Sequence, residues 1–569
     1  MNSIISPATR RNWERLHTDS KTRLTRRANK HNSRKTFLPV EYSTGSHLSF
    51  FRQLTDHART HAWDTEAVLY ALALKLLARQ GLLDKPHVRH VLQQYAPVQL
   101  PDLSGWDIPS DEWDLLGFVY QSLQQEGRKN RMGSYYTPRE IACQLTADLD
   151  FSHGQTFLDP CCGSGSFLLA APAVSPRQLF GMDIDPIAVM IAKINLLLRY
   201  PEEEFNPQVY CVNYLMDSAM PQCPDTCSYI VTNPPWGAAP VPRPYPAGVV
   251  SGESFSCFFV KAYDQLAENG CIRFLFPEAI LHVRAHQDIR CFLQKHCRME
   301  RIIRYADAFS GVVTKCAAIC CRKAPPADTV LLQNAAGIHP LPLSDLVQTR
   351  YQVFCFLTSQ DAEILTLLRQ QGCYDLSHSD WALGIVTGDN RHKLRQVPES
   401  GWEPIYTGRE ITRYTLKPAK NYLLYDRSQL QQAAPDSLYR APEKLVYKFI
   451  SDRPVFAYDA SGSLFLNSAN ILIPQIPGMS IKTVLALLNS ELFAFYYTCL
   501  FADVKILRGS LSELRFPRIT PEQNRQLEAM TDAILQGKLE QDMLLQDAIY
   551  ALYPLSDTQI RHIRQRIKK

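Results

Sequence analysis

Short apolar runs recur in the middle of the chain, and each one leads into a turn. Residues 156–159, 178–183 and 228–232 are such runs, and the turn after the first run is followed by an apolar segment with helical spacing. Uniformly apolar runs of this length are typical of strands that are buried on both faces of a sheet. Strand, turn and helix in succession indicate an α/β domain, which we assign to residues 131–325.

The regions on either side have different patterns. Residues 66–78 show the spacing of a buried helix, and the whole stretch 45–130 is helical in pattern. It lacks a strand-borne Pro-Asp followed by Glu-x-Lys, so we do not predict nuclease activity. Ala324-Pro325-Pro326 and the polar stretch behind it suggest a boundary. We predict a basic, flexible arm at 1–44, a helical domain at 45–130, the α/β domain at 131–325, an α+β domain at 326–520 and C-terminal helices at 521–569.

The most informative short motif is Asn233-Pro234-Pro235-Trp236, which follows the run 228–232. Such a turn presents a side-chain amide oxygen, a backbone carbonyl and an aromatic face at one point. These groups suit the N6 amine of adenine, a poor nucleophile whose two N–H groups need acceptors. Trp236 would stack on the base, a contact worth roughly 1–3 kcal/mol. Taken alone, the four residues could equally form an ordinary loop turn.

A turn with two glycines, Gly163 and Gly165, follows the first apolar run, and Asp183 ends the second. Glycines let the backbone approach a ligand, and an acid at a strand tip can bind both hydroxyls of a ribose. A third glycine and a basic residue suited to a pyrophosphate are missing from the motif. A nucleoside is therefore favoured over NAD, although for this segment alone a purely structural βαβ turn remains open.

Three motifs in this order resemble the amino-group DNA methyltransferases that use S-adenosylmethionine. They are Asp159-Pro160-Cys161-Cys162-Gly163-Ser164-Gly165, Asp183-Ile184-Asp185-Pro186 and Asn233-Pro234-Pro235-Trp236. Their order is that of the adenine-specific γ subgroup, in which target recognition is C-terminal. Residues 133–140 resemble the family's motif before the first strand, and residues 113–120 resemble a helix of type I and type IIG modification subunits.

The resemblance implies a doubly wound, Rossmann-like methyltransferase core with S-adenosylmethionine over the C-terminal ends of the strands. It implies that Thr137 lies along the methionine moiety, that Asp159 borders the sulfonium and that Asp183 binds the ribose. The catalytic residues would be Asn233, Pro234, Pro235 and Trp236. The implied cofactor contacts are Tyr136, Thr137, Pro138, Asp159, Pro160, Gly163, Gly165, Asp183, Ile184, Asn213 and Asn233.

Two residues depart from the family's pattern. Asn213 stands where an Asp often binds the adenine amine of the cofactor, and its amide oxygen can still accept that hydrogen bond. Trp236 stands where Tyr or Phe is usual, so the pocket must be wider or the base differently tilted. Phe309 matches the Phe that packs on the flipped adenine in Taq-type enzymes, which makes it the expected opposite stacking face. An ordinary core phenylalanine is the alternative.

The C-terminal part resembles the Taq-type target-recognition domain, more loosely than the core resembles its family. The similar segments are residues 383–390, 405–411 and 469–474. Basic and aromatic residues alternate here, as in Arg413-Tyr414, which suits contacts to phosphates and base edges. Half-exposed strands give similar patterns, so no residue is assigned to base reading.

Composition and charge agree with a globular, DNA-binding protein. The 569 residues, 46% hydrophobic and 21% charged, are enough for several domains. No apolar run approaches the roughly 20 residues of a membrane span, and no signal-peptide core is recognisable, so we expect a cytoplasmic protein without membrane contact. The net charge is +5, and the basic residues at 1–44 form either a phosphate-binding arm or a solvated tail. We predict that the 16 cysteines are reduced thiols, and we expect no bound metal.

These observations predict a site-specific methyltransferase that acts on adenine N6 in double-stranded DNA, in a restriction-modification or related defence system. One alternative is a methyltransferase acting on RNA adenine or protein glutamine, since those enzymes share the Asn-Pro-Pro-aromatic turn. Another is a modification subunit that needs a separate specificity partner. A cognate nuclease is a further possible partner of the chain.

Overall fold

The computed structural model describes residues 47–109, 111–124, 137–217, 223–236, 241–305, 315–335, 337–349, 352–501 and 505–568. Within the described residues, the chain divides into two compact units, which meet in the sequence between Ser344 and Asp345. The basic arm predicted at 1–44 lies outside the described residues.

The described part of the first unit begins with four helices, as the helical spacing predicts. They are α1 (Leu48–Thr60), α2 (Thr65–Arg79), α3 (Pro86–Gln93) and α4 (Leu115–Leu123). The side chain of Asp64 caps α2 by accepting the Ala67 N–H at 3.0 Å, which satisfies one of the free donors at that helix end. The apolar faces meet at Phe51 and Phe118, whose ring centroids are 4.0 Å apart. These helices belong to the same hydrophobic core as the sheet that follows.

A nine-stranded mixed sheet forms the centre of this unit. Its strands lie in the order β3-β2-β1-β4-β5-β7-β6-β8-β9. Strands β3, β2, β1, β4 and β5 run parallel to one another, whereas β7 runs antiparallel to both β5 and β6. The strands are β1 (Phe157–Asp159), β2 (Leu179–Asp183), β3 (Gln208–Cys211), β4 (Cys227–Thr232), β5 (Leu266–Pro277), β6 (Arg298–Tyr305), β7 (Cys316–Arg322), β8 (Thr329–Asn334) and β9 (Gly337–Pro342).

The connecting helices confirm the α/β prediction. They are α5 (Arg139–Gln144), α6 (Ser166–Ala170), α7 (Pro186–Arg199), α8 (Ser254–Gln265) and α9 (Gln287–His296), with short 3-10 turns at Pro176–Gln178, Glu278–Leu281 and Arg284–His286. Helix α7 begins with a proline behind the N-cap Asp185, whose carboxylate accepts the Ile187 N–H at 3.1 Å. The ring of Phe259 on α8 contacts both Phe274 of β5 and Phe292 of α9, so these helices pack against that part of the sheet.

The sheet extends beyond the boundary that the sequence indicates at about residue 326. Strand β8 pairs in parallel with β6, with Ile302 opposite Leu332, and β9 then pairs with β8. The residues Pro325 and Pro326 therefore lie in a turn between two strands of one sheet, and the Pro325 carbonyl accepts a hydrogen bond from Arg298 Nε at 3.1 Å. The division between the units falls after Ser344 instead.

The second unit is α+β, as predicted for the C-terminal part. It contains two four-stranded sheets, ordered β11-β18-β15-β16 and β12-β14-β13-β17, and a two-stranded sheet of β10 and β19. The strands are β10 (Gly372–Tyr374), β11 (Asp380–Leu383), β12 (Leu394–Arg395), β13 (Glu403–Tyr406), β14 (Asn421–Leu423), β15 (Lys444–Lys448), β16 (Phe456–Asp459), β17 (Leu464–Phe465), β18 (Ala469–Ile473) and β19 (Phe516–Pro517). Ile405 and Phe465 of one larger sheet share a core with Val446 and Ile471 of the other.

Helices complete this unit. They are α10 (Leu343–Leu346), which spans the division, α11 (Ser359–Gln371), α12 (Asn390–Lys393), α13 (Asp436–Tyr439), α14 (Ile481–Leu488), α15 (Glu491–Leu500), α16 (Arg508–Leu511), α17 (Pro521–Leu535), α18 (Gln541–Tyr550) and α19 (Asp557–Lys568), with a 3-10 turn at Arg427–Gln429. Among the described residues, no single helix is long and apolar enough to cross a membrane; only α14 and α15 taken together, with a 62° bend between them, reach that length and composition.

Candidate active site

The three motifs that the sequence indicates meet at the carboxyl-terminal ends of neighbouring strands, along one edge of the nine-stranded sheet. Strand β1 lies between β2 and β4 and is parallel to both, so the carboxyl ends of the three strands are adjacent. Asp159 and Asp183 are the last residues of β1 and β2, and Asn233 directly follows β4. This edge is where open parallel sheets ordinarily bind ligands.

The glycine turn after β1 has a backbone that other residues adopt only with strain. Gly163 has φ +53° and Gly165 has φ +95°, both in the left-handed region. A Cβ atom on Gly165 would also lie 3.4 Å from the Cβ of Ala192 on α7, so the turn and the helix are in close contact. The Cys162 N–H donates to the Met182 carbonyl of β2 at 2.8 Å, which ties the turn to the second strand. The turn therefore has a fixed conformation beside the two acidic strand ends.

Asp183 is held by two backbone donors. The Gly163 N–H donates to Oδ2 and the Asp185 N–H donates to Oδ1, each at 2.9 Å. Each carboxylate oxygen keeps a second lone pair, so the group can still accept hydrogen bonds from two hydroxyls. Burial raises the pKa of Asp183 to about 6, and the neighbouring Asp185 charge adds to the rise. The next residue, Ile184, is 49% exposed, which leaves an apolar side chain available beside the carboxylate.

Asp159 is almost completely buried, with 1% of its surface exposed. Its Oδ1 accepts the Cys161 N–H at 3.1 Å, while its Oδ2 has no hydrogen-bond partner among the described residues. Burial raises the pKa of Asp159 to about 7, and the charge of Asp183 contributes to the rise. The nearby Thr232 hydroxyl opposes this rise, although it makes no hydrogen bond within the described part of the chain. A buried oxygen without a partner is a position that a donor of a ligand can satisfy.

These features fit a cationic nucleoside such as S-adenosylmethionine. The left-handed glycines allow a close approach of the backbone, Asp183 can bind a ribose, and the open acceptor on Asp159 suits a positively charged donor. Pro160, the residue that follows Asp159 in the chain, is also buried. Thr137 and Pro138 are also buried, just before α5, and Tyr136 lies outside the described residues.

Asn213 has a structural task that the sequence does not reveal. Its side-chain oxygen accepts hydrogen bonds from the backbone N–H groups of Leu215 and Met216, each at 3.2 Å. The backbone N–H of Asn213 donates to Asp217 Oδ2 at 2.9 Å. The side chain therefore closes the turn behind β3. A hydrogen bond from a cofactor amine to that oxygen would have to share it with two backbone donors, so the cofactor contact of Asn213 stays a prediction.

The Asn233-Pro234-Pro235-Trp236 turn is held from two sides. The Ser254 hydroxyl, at the first position of α8, donates to the Pro235 carbonyl at 2.7 Å. The indole Nε1–H of Trp236 donates to the Leu275 carbonyl of β5 at 3.3 Å. Pro234 is buried, whereas Asn233 and Trp236 are half-buried. The plane of the indole is thus fixed by a donor that Tyr or Phe would lack at this position.

Sequence reasoning missed Ser254 and Leu275, because each is separated from the motif in the chain and joins it only through the fold. For Ser254 the one available signal is a serine close to a predicted helix start. Phe309, the expected second stacking face, lies outside the described residues. Its position relative to Trp236 therefore stays a prediction.

Comparison with known proteins agrees with this geometry. Residues 111–340 match the family described as N-6 DNA Methylase, and residues 403–515 match the TaqI-like C-terminal specificity domain. The type II methyltransferase M.VspI from Vibrio sp. (strain 343) is 28% identical over 314 residues, which cover 52% of this chain and 75% of that protein. The methylase subunit of the type I restriction enzyme EcoEI from Escherichia coli is 22% identical over 228 residues, and these cover 36% of this chain and 46% of that subunit.

A solved structure has a similar overall fold. The type IIL restriction-modification enzyme MmeI, determined in complex with DNA, gives a TM-score of 0.55 at 15% sequence identity, and the match covers 86% of each chain. At this level of identity the similarity establishes the fold alone.

Proposed function

We propose that the chain is an N6-adenine DNA methyltransferase of a restriction-modification system, like the type I and type II methylases that it resembles, and that its own residues carry out the reaction as follows. We infer that a methyl group passes from S-adenosylmethionine to N6 of an adenine that is turned out of double-stranded DNA. The observation that carries the proposal is the adjacency of β1 and β4, which brings the glycine turn and Asn233 to one edge of the sheet.

The cofactor side of the site consists of the ends of β1 and β2. Bound S-adenosylmethionine would supply an electrophilic methyl group on a sulfonium. Asp183 would bind the ribose hydroxyls through the lone pairs that the Gly163 and Asp185 N–H groups leave open. Gly163 and Gly165 let the backbone come close, and Asp159 offers its open oxygen to a cationic donor. Thr137 and Pro138 would border the methionine end.

The target side consists of the turn after β4. The Asn233 side-chain oxygen and the Pro234 carbonyl would accept the two N6 hydrogens and draw the nitrogen toward tetrahedral geometry. The nitrogen lone pair then forms the new N–C bond while the S–C bond breaks, its electron pair stays on sulfur, and the amine releases one proton to solvent. In-line placement beside a cationic electrophile supplies the driving force, so no general base is required. Trp236 would stack on the extruded base.

The second unit would choose the site of methylation. Its TaqI-like specificity domain supports recognition by this chain itself, because a methylase that relies entirely on a separate specificity subunit would not need one. The same domain argues against a protein glutamine or another small substrate.

The proposal is tested by expressing the wild type and Asn233→Ala in a bacterial host without DNA methylation and sequencing the genomic DNA by a method that detects N6-methyladenine directly. An exposed asparagine of the same unit, changed as Asn206→Ala, is the matched control. We expect methylation at one sequence motif with the wild type and the control, and none with Asn233→Ala. A folded wild type that binds cofactor but leaves the DNA unmethylated would overturn the proposal and indicate a required partner or another substrate.

A further inference from the structure

Helix α4 contacts the glycine turn through its N-cap residue, Asp114. One carboxylate oxygen of Asp114 accepts the hydroxyl of Ser164, the residue between the two glycines of the turn. The other accepts the Asn195 side-chain amide of α7 at 2.8 Å and the Gly117 N–H at 2.9 Å. The amide of Asn195 also donates to the Ser164 carbonyl at 2.9 Å. Ser164 is therefore held at both its hydroxyl and its carbonyl group.

The same helix reaches the second cofactor strand through Tyr120. The buried Tyr120 hydroxyl donates to the Asp185 carboxylate. Asp185 caps α7, and its backbone N–H donates to Asp183 at 2.9 Å. The Tyr120 hydroxyl thus connects α4 to the residue that orients the proposed ribose-binding carboxylate.

The close approach of α4 depends on the absence of a side chain at Gly117. A Cβ atom there would lie 2.2 Å from Oδ2 of Asp114 and 2.6 Å from the hydroxyl oxygen of Ser164. Distances this short are not tolerated between packed atoms, so any other residue would push Asp114 away from Ser164. Burial among these groups raises the pKa of Asp114, which indicates how completely the contact is enclosed.

We propose that α4 is a positioning element for the cofactor site, in which Asp114 and Tyr120 hold the glycine turn and Asp183 in their binding geometry before the cofactor arrives. A site that is ordered in advance loses less conformational freedom on binding and therefore binds more tightly. Neither residue touches the cofactor; each acts through Ser164 or Asp185. The inference rests on the proposed function, since it takes this edge of the sheet to be the S-adenosylmethionine site.

The test compares Tyr120→Phe with Tyr70→Phe. Tyr70 is a suitable control because it is also a buried tyrosine whose hydroxyl donates a hydrogen bond, to the Leu92 carbonyl at 3.2 Å, within the helical region and away from the cofactor loops. In the cofactor-free protein, we expect Tyr120→Phe to speed hydrogen exchange at the amides of Gly163 and Asp185, and Tyr70→Phe to leave it unchanged. Asp114→Ala is a second variant, expected to act most strongly on residues 163–165.

Calorimetry with S-adenosylhomocysteine, the unreactive product, gives the functional readout. We expect Tyr120→Phe to bind it about tenfold more weakly, the factor for one hydrogen bond to a charged group, with KM for DNA and kcat at saturating cofactor unchanged. Equal affinities and exchange rates in the two Phe variants would overturn the inference. A wild type that does not bind S-adenosylhomocysteine would instead overturn the proposed function, while the exchange experiment would still report on α4.

Discussion

Two groups of residues at the carboxyl-terminal strand ends, which we propose bind the cofactor and the target base, differ in their chemistry. On the cofactor side, β1 and β2 end in Asp159 and Asp183, whose pKa values burial raises to about 7 and about 6. On the target side, the proposed groups are the amide of Asn233, the Pro234 carbonyl and the indole of Trp236, none of which changes its charge near neutral pH. The difference assigns the pH dependence of this enzyme to cofactor binding and stability, and leaves the methyl-accepting step largely independent of pH.

The largest effect is expected from Asn233→Ala. Loss of an acceptor that acts mainly in the transition state should lower kcat by about 10²–10³-fold, by analogy with the removal of one oxyanion-hole donor. Since the target side does not titrate, the pH profile of the residual activity should keep the wild-type shape. Single-turnover rates from pH 5 to pH 9 would measure both. A variant profile that loses an inflection present in the wild type would contradict the comparison.

The next largest effect is expected from Asp183→Asn. Loss of a charged acceptor for the ribose should weaken S-adenosylmethionine binding by roughly 10- to 100-fold at pH 8. In the wild type, affinity should fall as pH drops below about 6, because protonation removes the carboxylate charge. Titration calorimetry at pH 5, 6, 7 and 8 should show this loss in the wild type. Asp183→Asn should lose the step near pH 6, and any step that Asp159 causes near pH 7 should move to lower pH, because the Asp183 charge no longer raises the pKa of Asp159. A titration curve identical to that of the wild type would rule out Asp183 as the source of the step near pH 6.

Asp159 should make the stability of the folded protein fall as pH rises, whereas a carboxylate in an ordinary ion pair makes stability fall as pH decreases. Its pKa is raised in the folded protein, so the stability that it contributes is complete below its unfolded pKa and is lost as pH rises through about 7. Between pH 5 and pH 8 this loss is roughly 2–3 kcal/mol. Asp159→Asn should therefore gain Tm relative to the cofactor-free wild type as pH rises, by a few degrees at pH 8. A Tm difference that is the same at pH 5 and pH 8 would show that Asp159 does not titrate in this range.

The smallest effect is expected from Trp236→Phe. The variant keeps an aromatic face but loses the N–H that fixes the indole to the Leu275 carbonyl. We expect a loss of about three- to tenfold in kcat/KM for DNA, the cost of one neutral hydrogen bond, and no change in cofactor affinity. DNA with 2-aminopurine at the target position reports extrusion of the base by fluorescence. Trp63→Phe, in the helical region, is the control; equal results for both variants would exclude a special role for the tethered indole.

Much of this site follows from local sequence. Short apolar strands, each ending in a turn with distinctive chemistry, predict both the α/β sheet and the residues at its edge. Asp159, Asp183 and Asn233 lie at adjacent strand ends for that reason. These residues can be predicted from the sequence because each lies directly at the end of its own strand. Its position in the sheet therefore follows from the local pattern, without knowledge of contacts to distant segments.

What the sequence could not reveal depends on contacts between distant segments. The hydrogen bonds from α4 to Ser164 and Asp185 join residues that are 50 and 65 positions apart. Asn213 closes the turn behind β3 with its side chain. Hydrogen bonds from the backbone of that turn occupy its side-chain oxygen, which the family resemblance assigns to the cofactor. The extent of the sheet was misjudged at Pro325 and Pro326 because a proline pair marks a turn between strands as readily as it marks a linker.

The two strands beyond those prolines have a consequence for engineering new sequence specificities. Cutting the chain at residue 326 to exchange recognition regions would remove β8 and β9 and leave β6, with its row of backbone donors and acceptors, as an unprotected sheet edge prone to aggregation. In the intact protein the outermost strand is β9, which carries Pro340 and Pro342 and is a poor partner for further strands. Chimaeras that keep the chain up to Ser344 would retain that protection, so the choice of junction decides whether a hybrid enzyme exposes an edge strand that promotes aggregation.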